Sequence, residues 1–478
     1  MEERRGISKS LYATGDILGG GAFMMISLLF LNFLTNVELL SPAMAGAVLL
    51  IGKLVDAISD PLMGFISDRT KSRFGRRRIY FLLGVLPVFI SFTLLWYGFS
   101  ISTQTGVFWY YVCMYSLFCL AFTMVMVPYN ALLPEIAETY DKRTSFMGAR
   151  MAFSLLSSML AGVLPLIIVG RFDNVKTGYL IMAAIFGMLY SIPWLLVFRG
   201  TREDPEYASD FDQQSLFKQM AFVFKNRTFR YYIAMFLSGM AAVDLLVALF
   251  IYYLTVCIGR PGQFSLLMAI LMIMQLAGSQ IWVQIAKKTS KTTPMKIGVP
   301  IWALGLAIGF IITPQSPLAL LYVMAALCGL GAVTCNQVPW SVLPDVVDVG
   351  ELITGKRQEG IYSGMATFVR KTANALMLGM SGFLLQAVGY QVPVEAGVIL
   401  QQTAATVSGI RMLYCFMPIM FAAIALLLAY LYPLARKRFE SMRAARDVLK
   451  EGRSIDDPAI RTDIEAITGV PEEQLWGR

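Results

Sequence analysis

The sequence predicts an all-α membrane protein with twelve transmembrane helices in two pseudo-symmetric six-helix bundles. Of its 478 residues, 57% are apolar and 15% are charged, and the mean hydropathy is +0.63. These values are typical of a chain solvated by lipid. Apolar stretches of roughly 20 residues recur along the chain, each long enough to cross a hydrocarbon core of about 30 Å as a helix. One motif also repeats between the two halves.

The predicted spans cover most of the chain and are separated by short polar loops. They lie at 14–36, 43–66, 79–99, 106–133, 145–169, 178–198, 228–256, 263–286, 294–313, 316–344, 359–388 and 407–434. Residues 1–10 lead directly into the first span without the short apolar stretch and cleavage site of a signal peptide, so we expect the first helix to remain in the protein.

The residue types that are missing exclude several function classes. The chain contains no histidine, which excludes Ser-His-Asp catalysis and histidine-ligated metals. Its six cysteines lie in apolar spans without CxxC spacing, which favours a packing role. The sequence shows no nucleophile–base pair and no phosphate-binding loop. We therefore predict that the protein is not an enzyme and has no cofactor apart from a coupling ion.

Positive charge in the loops predicts the orientation. The net charge is +9, and the excess is concentrated after the second and eighth spans rather than in a nucleic-acid-binding patch. The residues are Arg69, Lys71, Arg73, Arg76, Arg77 and Arg78 in the first loop, and Lys287, Lys288, Lys291 and Lys296 in the second. Lys and Arg concentrate in cytoplasmic loops. We expect a multi-pass protein of the cell inner membrane with both termini in the cytoplasm.

The polar segments divide the chain into four regions. Residues 1–198 form the predicted N-terminal six-helix bundle, 199–227 a cytoplasmic central loop of mixed charge, and 228–434 the C-terminal six-helix bundle. Residues 435–478 form a basic cytoplasmic tail. Its segment from Arg436 to Lys450 is amphipathic and is expected to lie on the anionic inner leaflet.

An internal repeat relates the two bundles. The sequence VPYNALLPE from Val127 to Glu135 in the fourth span parallels VPWSVLPD from Val338 to Asp345 in the tenth. Two six-helix halves in parallel repeat, with a binding site between them near the membrane midplane, describe the major facilitator fold and its rocking mechanism of alternating access.

Two carboxylates in the second span predict a cation site. A charge in the hydrocarbon region costs roughly 2.5 to 3.5 kcal/mol or more. Asp56 and Asp60 are four residues apart, so they share one helix face within about 6 Å. They require either a bound metal cation or a retained proton. For Na⁺, Ser59 and Thr123 would add hydroxyl ligands. The alternative is structural ion pairing with arginines of the next loop.

Two cations follow the repeated motifs and predict a solute site. Arg150 in the fifth span and Lys371 in the eleventh take related positions in the two halves. They would balance the aspartates in the empty protein, or bind hydroxyl or carboxylate groups of a solute. The alternative is charge balance alone. Tyr129 and Trp340 occupy matching positions of the repeat and would stack on a sugar face or serve as packing residues.

The loop after the second span predicts a conformational latch. Acidic, basic and glycine residues alternate there, which suits contacts that break and re-form as the halves rock. The residues are Gly64, Asp68, Arg69, Gly75, Arg76 and Arg77.

These motifs together resemble the glycoside-pentoside-hexuronide:cation symporters, the melibiose permease-like family of the major facilitator superfamily, over nearly the whole chain. The resemblance rests on residues 12–16, 56–61, 68–76, 127–132, 141–144, 343–348, 354–360 and 371. It implies secondary active symport of a sugar-like solute with Na⁺ or H⁺. It also places Asp56 and Asp60 at the family's cation-site aspartates, Thr123 at its hydroxyl position, and Ser59 where the family has asparagine.

The resemblance places Arg150 and Lys371 at the family's substrate-site cations, but the acidic side of the pocket differs. Gly20 and Met126 occupy the positions of its galactoside-binding aspartates, and Asn130 the position of a tryptophan. A relatively positive pocket favours an anionic solute, such as a uronide or another acidic glycoside.

Two other functions remain open. A lysophospholipid transporter of the same fold would use Met126, Phe122 and Gly20 to line a more apolar path. A membrane sensor or scaffold would transport nothing. In each case we expect a monomer in the lipid bilayer with no nucleic-acid partner.

Overall fold

The structure is a computed structural model that describes residues 7–99, 101–137, 139–203, 223–434, 436–450, 455, 457–471 and 475–476. In these ranges every regular element is a helix, which confirms the predicted fold class. The helices are α1 Lys9–Asn36, α2 Pro42–Arg69, α3 Arg78–Leu95, α4 Gln104–Ile136, α5 Tyr140–Val169, α6 Val175–Gly200, α7 Arg227–Cys257, α8 Phe264–Lys288, α9 Thr293–Ile311, α10 Leu318–Thr354, α11 Glu359–Ala387, α12 Ala404–Leu431, α13 Arg436–Lys450 and α14 Pro458–Thr468.

Eleven helices among the described residues are long and apolar enough to cross a membrane, namely α1 to α10 and α12. The remaining predicted span, 359–388, corresponds to α11, which has 29 residues and therefore sufficient length. It carries Arg370 and Lys371 near its middle, and these charges lower its hydropathy.

Short polar side chains set several helix starts. Thr103, Thr139 and Asn174 precede α4, α5 and α6, and each accepts a hydrogen bond from the backbone N–H three residues later, at 3.2, 3.3 and 3.1 Å. Such caps satisfy amides that have no partner within the helix. At the other end of a long helix, α10 stops at Gly355, whose φ of +69° favours glycine.

Some helices extend well beyond their predicted spans. Helix α10 continues to Thr354, whereas its predicted span ends at 344, and α5 begins at Tyr140 rather than 145. The apolar window detects only the part of a helix that suits the hydrocarbon core. In the extension of α10, Val346, Val349 and Leu352 are buried, so packing against protein stabilises the polar end of the helix.

The helices group into two compact units. The first contains Met1–Asp210, Val247–Ala269 and Ala375–Leu413. Within it, α2 and the second half of α11 cross closely: a Cβ built on Gly382 would lie 2.7 Å from the backbone nitrogen of Gly46. Small residues permit this approach between membrane helices. The predicted boundaries at 198 and 228 stay a prediction, and residues 204–222 of the predicted central loop lie outside the described residues.

The second unit contains Phe211–Leu246, Ile270–Asn374 and Tyr414–Arg478. It includes the basic tail helix α13, whose apolar residues Met442, Ala445 and Leu449 are buried. Lys450 lies 3.6 Å from Glu351 at the end of α10. The apolar face that the sequence analysis expected to meet lipid is therefore covered by the protein itself.

Candidate functional site

The four predicted cation-site residues come together between α2 and α4 of the first unit. The hydroxyl oxygen of Thr123 lies 3.0 Å from Oδ1 of Asp60 and 3.4 Å from Oδ1 of Asp56. The Ser59 hydroxyl lies 3.0 Å from that of Thr123. Glycine at position 52, one turn before Asp56, permits the helices to approach, because a Cβ there would clash with the Tyr115 ring.

A buried lysine that was not predicted for this site lies beside the cluster. Lys53 is 6% exposed and precedes Asp56 by three residues and Asp60 by seven, so all three lie on the same side of α2. Its Nζ lies 3.1 Å from the centroid of the Phe23 ring on α1, a cation–π contact. A lysine inside a span, one turn from an acid, was the sequence signal that could have identified it.

The oxygen atoms of this cluster suit a hard monovalent cation or a proton. Carboxylate and hydroxyl oxygens are the ligands that hard cations prefer, and two adjacent carboxylates are also an arrangement that retains a proton. Within the described ranges no group of three or more Cys, Asp and Glu side chains could hold a metal ion. The cluster therefore differs from a multi-carboxylate site for a divalent metal.

The predicted solute-site arginine lies in a second buried cluster of the same unit. Nε of Arg150 donates to Oδ2 of Asp16, its Nη2 lies 3.3 Å from Oδ1 of Asp16, and Nη2 also donates to Oδ1 of Asn130 at 2.7 Å. Arg150 and Asp16 are each 8% exposed. Asp16 is not among the predicted site residues, although an acid in a membrane span is itself a functional signal.

Tyr129 positions this ion pair. Its hydroxyl lies 3.3 Å from Asp16 and 3.0 Å from the Tyr12 carbonyl, and its ring stacks on Tyr12 with centroids 4.4 Å apart. The guanidinium of Arg150 lies 4.3 Å from the centroid of the same ring. Tyr129 is fully buried, so its ring is covered by protein groups, which include Tyr12 and Arg150.

The other predicted solute-site residues take three different positions. Met126 is buried and faces Gly19, as Asp16 does. A Cβ built on Gly19 would lie 3.0 Å from the Met126 methyl group and 3.0 Å from Oδ1 of Asp16. Gly20 faces α5, where a Cβ would lie 2.8 Å from the backbone carbon of Ser154. Trp340 and Lys371 belong to the second unit, where Trp340 is 45% exposed.

A bidentate ion pair lies beside Lys371 in the second unit. Arg370 donates to both carboxylate oxygens of Asp244 at 2.8 and 2.9 Å. Because successive residues of a helix point about 100° apart, Lys371 faces a different direction. The two neighbouring cations of α11 therefore have separate surroundings.

The predicted latch is a network centred on Arg77. Its guanidinium lies 2.7 Å from Asp68, and it also contacts Glu135 at the end of α4. Arg76 lies 2.5 Å from the same Glu135 carboxylate. Glu135 was not among the predicted latch residues, although it closes the network. Of the other predicted latch residues, Arg69 stacks on the Phe65 ring at 3.6 Å.

Glu203 fixes the loop that carries these arginines. Its Oε1 accepts the Arg77 backbone N–H at 2.7 Å. Gly75 has a φ of +103°, and a Cβ there would lie 2.8 Å from the Glu203 carboxyl carbon, so glycine is required at this position. Burial raises the pKa of the Glu203 carboxyl, and the Arg77 N–H partly opposes this. Gly64 has ordinary clearance, with Val127 at 3.8 Å.

The second unit contains a counterpart to this network. Asp345, which matches Glu135 in the sequence repeat, lies 2.7 Å from Nζ of Lys291 in the loop between α8 and α9. In each unit, an acid at the end of the VP motif therefore pairs with a cation of the basic loop.

The first unit also holds a cavity of about 750 Å³ away from the latch. Its walls are mainly apolar and come from α1, α5, α6, α7, α8 and the loop before α12. Representative residues are Val163, Leu166, Tyr179, Leu266 and Ile399. Tyr390 and Asn36 lie at its edge, where the Tyr390 hydroxyl donates to Asn36 at 2.6 Å.

Comparison with known proteins gives one family and several related symporters. Residues 11–436 match the family described as MFS/sugar transport protein. An uncharacterized symporter of Synechocystis is 29% identical, over 90% of this chain and 94% of its own. The sodium-dependent lysophosphatidylcholine symporter 1 of Gallus gallus is 26% identical, over 94% of this chain and 90% of its own. The protein of Escherichia coli named "Putative sulfoquinovose importer" is 27% identical, over 90% and 91%.

Solved structures share the fold at low sequence identity. A bacterial homolog of the human lysosomal transporter Spinster, in an inward-facing and unoccupied conformation, matches with a TM-score of 0.62 at 14% identity, over 94% of this chain and 98% of that chain. The nucleoside transporter NupG matches with a TM-score of 0.58 at 15% identity, over 91% and 98%.

Proposed function

We propose that this chain, which belongs to the MFS/sugar transport protein family, is a secondary active transporter that couples cation entry to uptake of a sugar-like solute by alternating access. The observation that carries the proposal is the cluster of Asp56, Asp60, Ser59 and Thr123 inside the predicted membrane spans. Intramembrane acids are costly and mark ion pathways. A scaffold without transport would not require them.

The coupling ion in this proposal is Na⁺ or H⁺. Two carboxylates and two hydroxyls provide oxygen ligands for Na⁺, and the Gallus gallus relative is named as sodium-dependent. Retention of a proton by one carboxylate is the alternative. In either case cation and solute favour the same state, and each therefore increases the affinity for the other.

The proposed solute is an acidic sugar, such as a uronide or a sulfonated glycoside. Arg150 and Lys371 would supply positive charge, and the Escherichia coli relative is named for a sulfonated sugar. Arg150 already holds Asp16 and Asn130. A solute anion would therefore have to compete with Asp16 for the guanidinium. In this proposal, displacement of Asp16 is the step at which the protein selects an anionic solute.

The proposed setting is the cell inner membrane, with both chain termini and the loop 70–77 in the cytoplasm. The positive charge of the loops after α2 and α8 supports this orientation. In this proposal the two six-helix bundles rock around the solute site, and the protein acts as a monomer.

Uptake into proteoliposomes tests the proposal. Neutral glycosides, glucuronides, sulfoquinovose and lysophosphatidylcholine would each be offered with an imposed Na⁺ or pH gradient. We expect gradient-driven uptake of an acidic sugar by the wild type and its loss in Asp60→Asn. Asp173→Asn, which changes an exposed aspartate, is the matched control. Uptake that is independent of both gradients and is unchanged in Asp60→Asn would contradict the cation-site assignment.

A lysophospholipid is the second candidate solute, and one structural observation favours it. The 750 Å³ cavity has mainly apolar walls, as a site for an acyl chain requires. In that case the cation gradient would drive uptake of lysophosphatidylcholine, and lysophosphatidylcholine would compete with the acidic sugars and abolish their uptake. Leu266→Asn, which places an amide in the cavity wall, would impair lysolipid uptake while leaving glucuronide uptake unchanged.

A further inference from the structure

The loop between α2 and α3 encloses a cavity of about 440 Å³ that takes no part in the proposed solute or cation sites. Its lining contains four cations and one carboxylate, an excess of positive charge at one end of the helices. The lining residues are Thr70, Lys71, Ser72, Arg73, Phe74, Gly75, Arg76, Arg78 and Glu203.

Two of the four cations are available to a ligand. Arg76 is committed to Glu135, and the Arg78 guanidinium donates to the Phe198 carbonyl at 2.6 Å. Lys71 and Arg73 are exposed, and among the described residues neither contacts a carboxylate. The Arg73 guanidinium lies 4.7 Å from the centroid of the Phe74 ring, which limits its orientations.

The cavity is held in shape by the loop itself. Glu203 accepts the Arg77 N–H, and Gly75 adopts a backbone conformation that glycine favours. The Thr70 hydroxyl lies 2.6 Å from that of Tyr80. Because these contacts fix the loop, little conformational entropy is lost when a ligand binds.

An exposed apolar stripe begins on the helix that Arg78 of the cavity lining opens, five residues further along. Along α3, Leu83, Leu86 and Ile90 are 55%, 66% and 47% exposed, and their spacing places them on one helix face. On a membrane-spanning helix such a face contacts lipid. The cavity therefore lies where the headgroup of a lipid packed along this stripe would be found.

We propose that this cavity binds the phosphate of an anionic phospholipid headgroup between Lys71 and Arg73, with the acyl chains along the stripe of α3. Basic pockets at the cytoplasmic ends of membrane helices suit anionic headgroups, and each cation near the surface contributes about 1 kcal/mol, or about fivefold in affinity. Free phosphate shares the charge but cannot use the apolar stripe. The proposal depends on the orientation proposed above and not on the identity of the solute.

Lipid binding to the full chain tests the proposal. The protein would be placed in nanodiscs of phosphatidylcholine with a trace of fluorescent phosphatidylglycerol, and binding measured by energy transfer from tryptophan. We expect saturable binding that is weakened about thirtyfold in Lys71→Ala/Arg73→Ala, from two cations, and is largely restored by Lys71→Arg/Arg73→Lys. The control Lys288→Ala/Lys356→Ala removes two exposed cations, one at the end of α8 and one in the loop after α10, and should bind as the wild type does.

Three results would overturn the proposal. Unchanged binding in Lys71→Ala/Arg73→Ala would show that the cavity is not the site. An equal loss in Lys288→Ala/Lys356→Ala would show a diffuse effect of net charge. Displacement by inorganic phosphate or glycerol phosphate at concentrations comparable to the lipid would show a free-anion site, and not a lipid site.

Discussion

At the scale of single residues, Thr123 is the most direct test of the cation site because its hydroxyl lies within 3.4 Å of both carboxylates. Thr123→Val keeps the shape and removes one oxygen ligand. We expect about tenfold weaker activation of uptake by Na⁺, the loss typical of one polar contact to a charged group. Thr123→Ser retains the hydroxyl and should remain close to the wild type. Equal Na⁺ activation in all three proteins would exclude Thr123 as a ligand.

Substitution of Asp16 is expected to change the response of the protein to an acidic solute. In Asp16→Asn the Arg150 guanidinium loses its counter-ion, and an unpaired buried charge destabilises a protein by about 3–5 kcal/mol. An acidic solute would supply the missing charge. We expect a lower melting temperature without ligand and a larger rise with glucuronide than in the wild type.

The neutral methyl glucoside is the control ligand for Asp16→Asn, since it cannot replace the carboxylate. The same rise with glucuronide in both proteins would place the anion site elsewhere. Loss of both the ion pair and the solute response in Asp16→Asn/Arg150→Gln would be consistent with the proposal.

The sequence predicts that Asp56 and Asp60 lie side by side because they share a helix, where spacing fixes the geometry. That they bind a cation stays a prediction. Thr123 is predicted both as a possible hydroxyl ligand and as the family's hydroxyl position, and the structure places it beside the two aspartates. The partners of Arg150 were harder to predict. Asp16 and Arg150 are 134 residues apart, and helix periodicity does not indicate which distant helices are neighbours.

At the scale of elements, the crossing of α2 and α11 depends on glycine. A methyl group on Gly382 would lie 2.7 Å from two backbone atoms of Gly46, so Gly382→Ala forces the helices apart and overpacking costs about 1–3 kcal/mol. We expect a lower melting temperature. Gly364→Ala on the same helix is the control, because a Cβ there meets nothing within 4 Å. A lower melting temperature in Gly364→Ala alone would contradict this account.

The loop 70–77 predicts a pH effect through Glu203. Burial raises its pKa in the folded protein, so the stability that it contributes is complete below the ordinary value of about 4.3 and is lost as pH rises through the raised pKa. Glu203→Gln cannot titrate. We therefore expect its melting temperature, relative to the wild type, to increase between about pH 4 and pH 8.

Thermal unfolding at several pH values checks this, with Glu359→Gln as the control for an exposed glutamate. Arg76, Arg77, Arg78 and Glu135 surround the loop and are unchanged in both variants. A pH dependence that is identical in the wild type and Glu203→Gln would show that Glu203 does not govern it.

Helix existence was predictable, but some helix ends and contacts were not. The apolar window cannot detect the polar end of α10, which is buried by protein. The amphipathic pattern of α13 fits a lipid surface and a protein surface equally, and in the structure Lys450 lies near Glu351 instead. Amphipathicity specifies that a face will be covered, without specifying what covers it.

At the scale of the whole molecule, the two sequence repeats also share an ion pair with their basic loops. Glu135 contacts Arg76 and Arg77 in the first unit, and Asp345 contacts Lys291 in the second. The two networks differ mainly in the burial of their cations, because the Arg77 side chain is 6% exposed while that of Lys291 is 46% exposed. Solvent weakens an exposed ion pair.

This asymmetry predicts unequal contributions from two matched positions. Glu135→Gln leaves two arginines without their shared carboxylate and should cost about 3–5 kcal/mol. Asp345→Asn removes a pair whose lysine is half-exposed and should cost about 1 kcal/mol or less. Because the networks belong to separate compact units, the effects should add in Glu135→Gln/Asp345→Asn. Melting temperatures of the three variants in one detergent measure this. Equal single effects would contradict the role assigned to burial, and a double variant no worse than Glu135→Gln would mean that the two loops stabilise the molecule as one network.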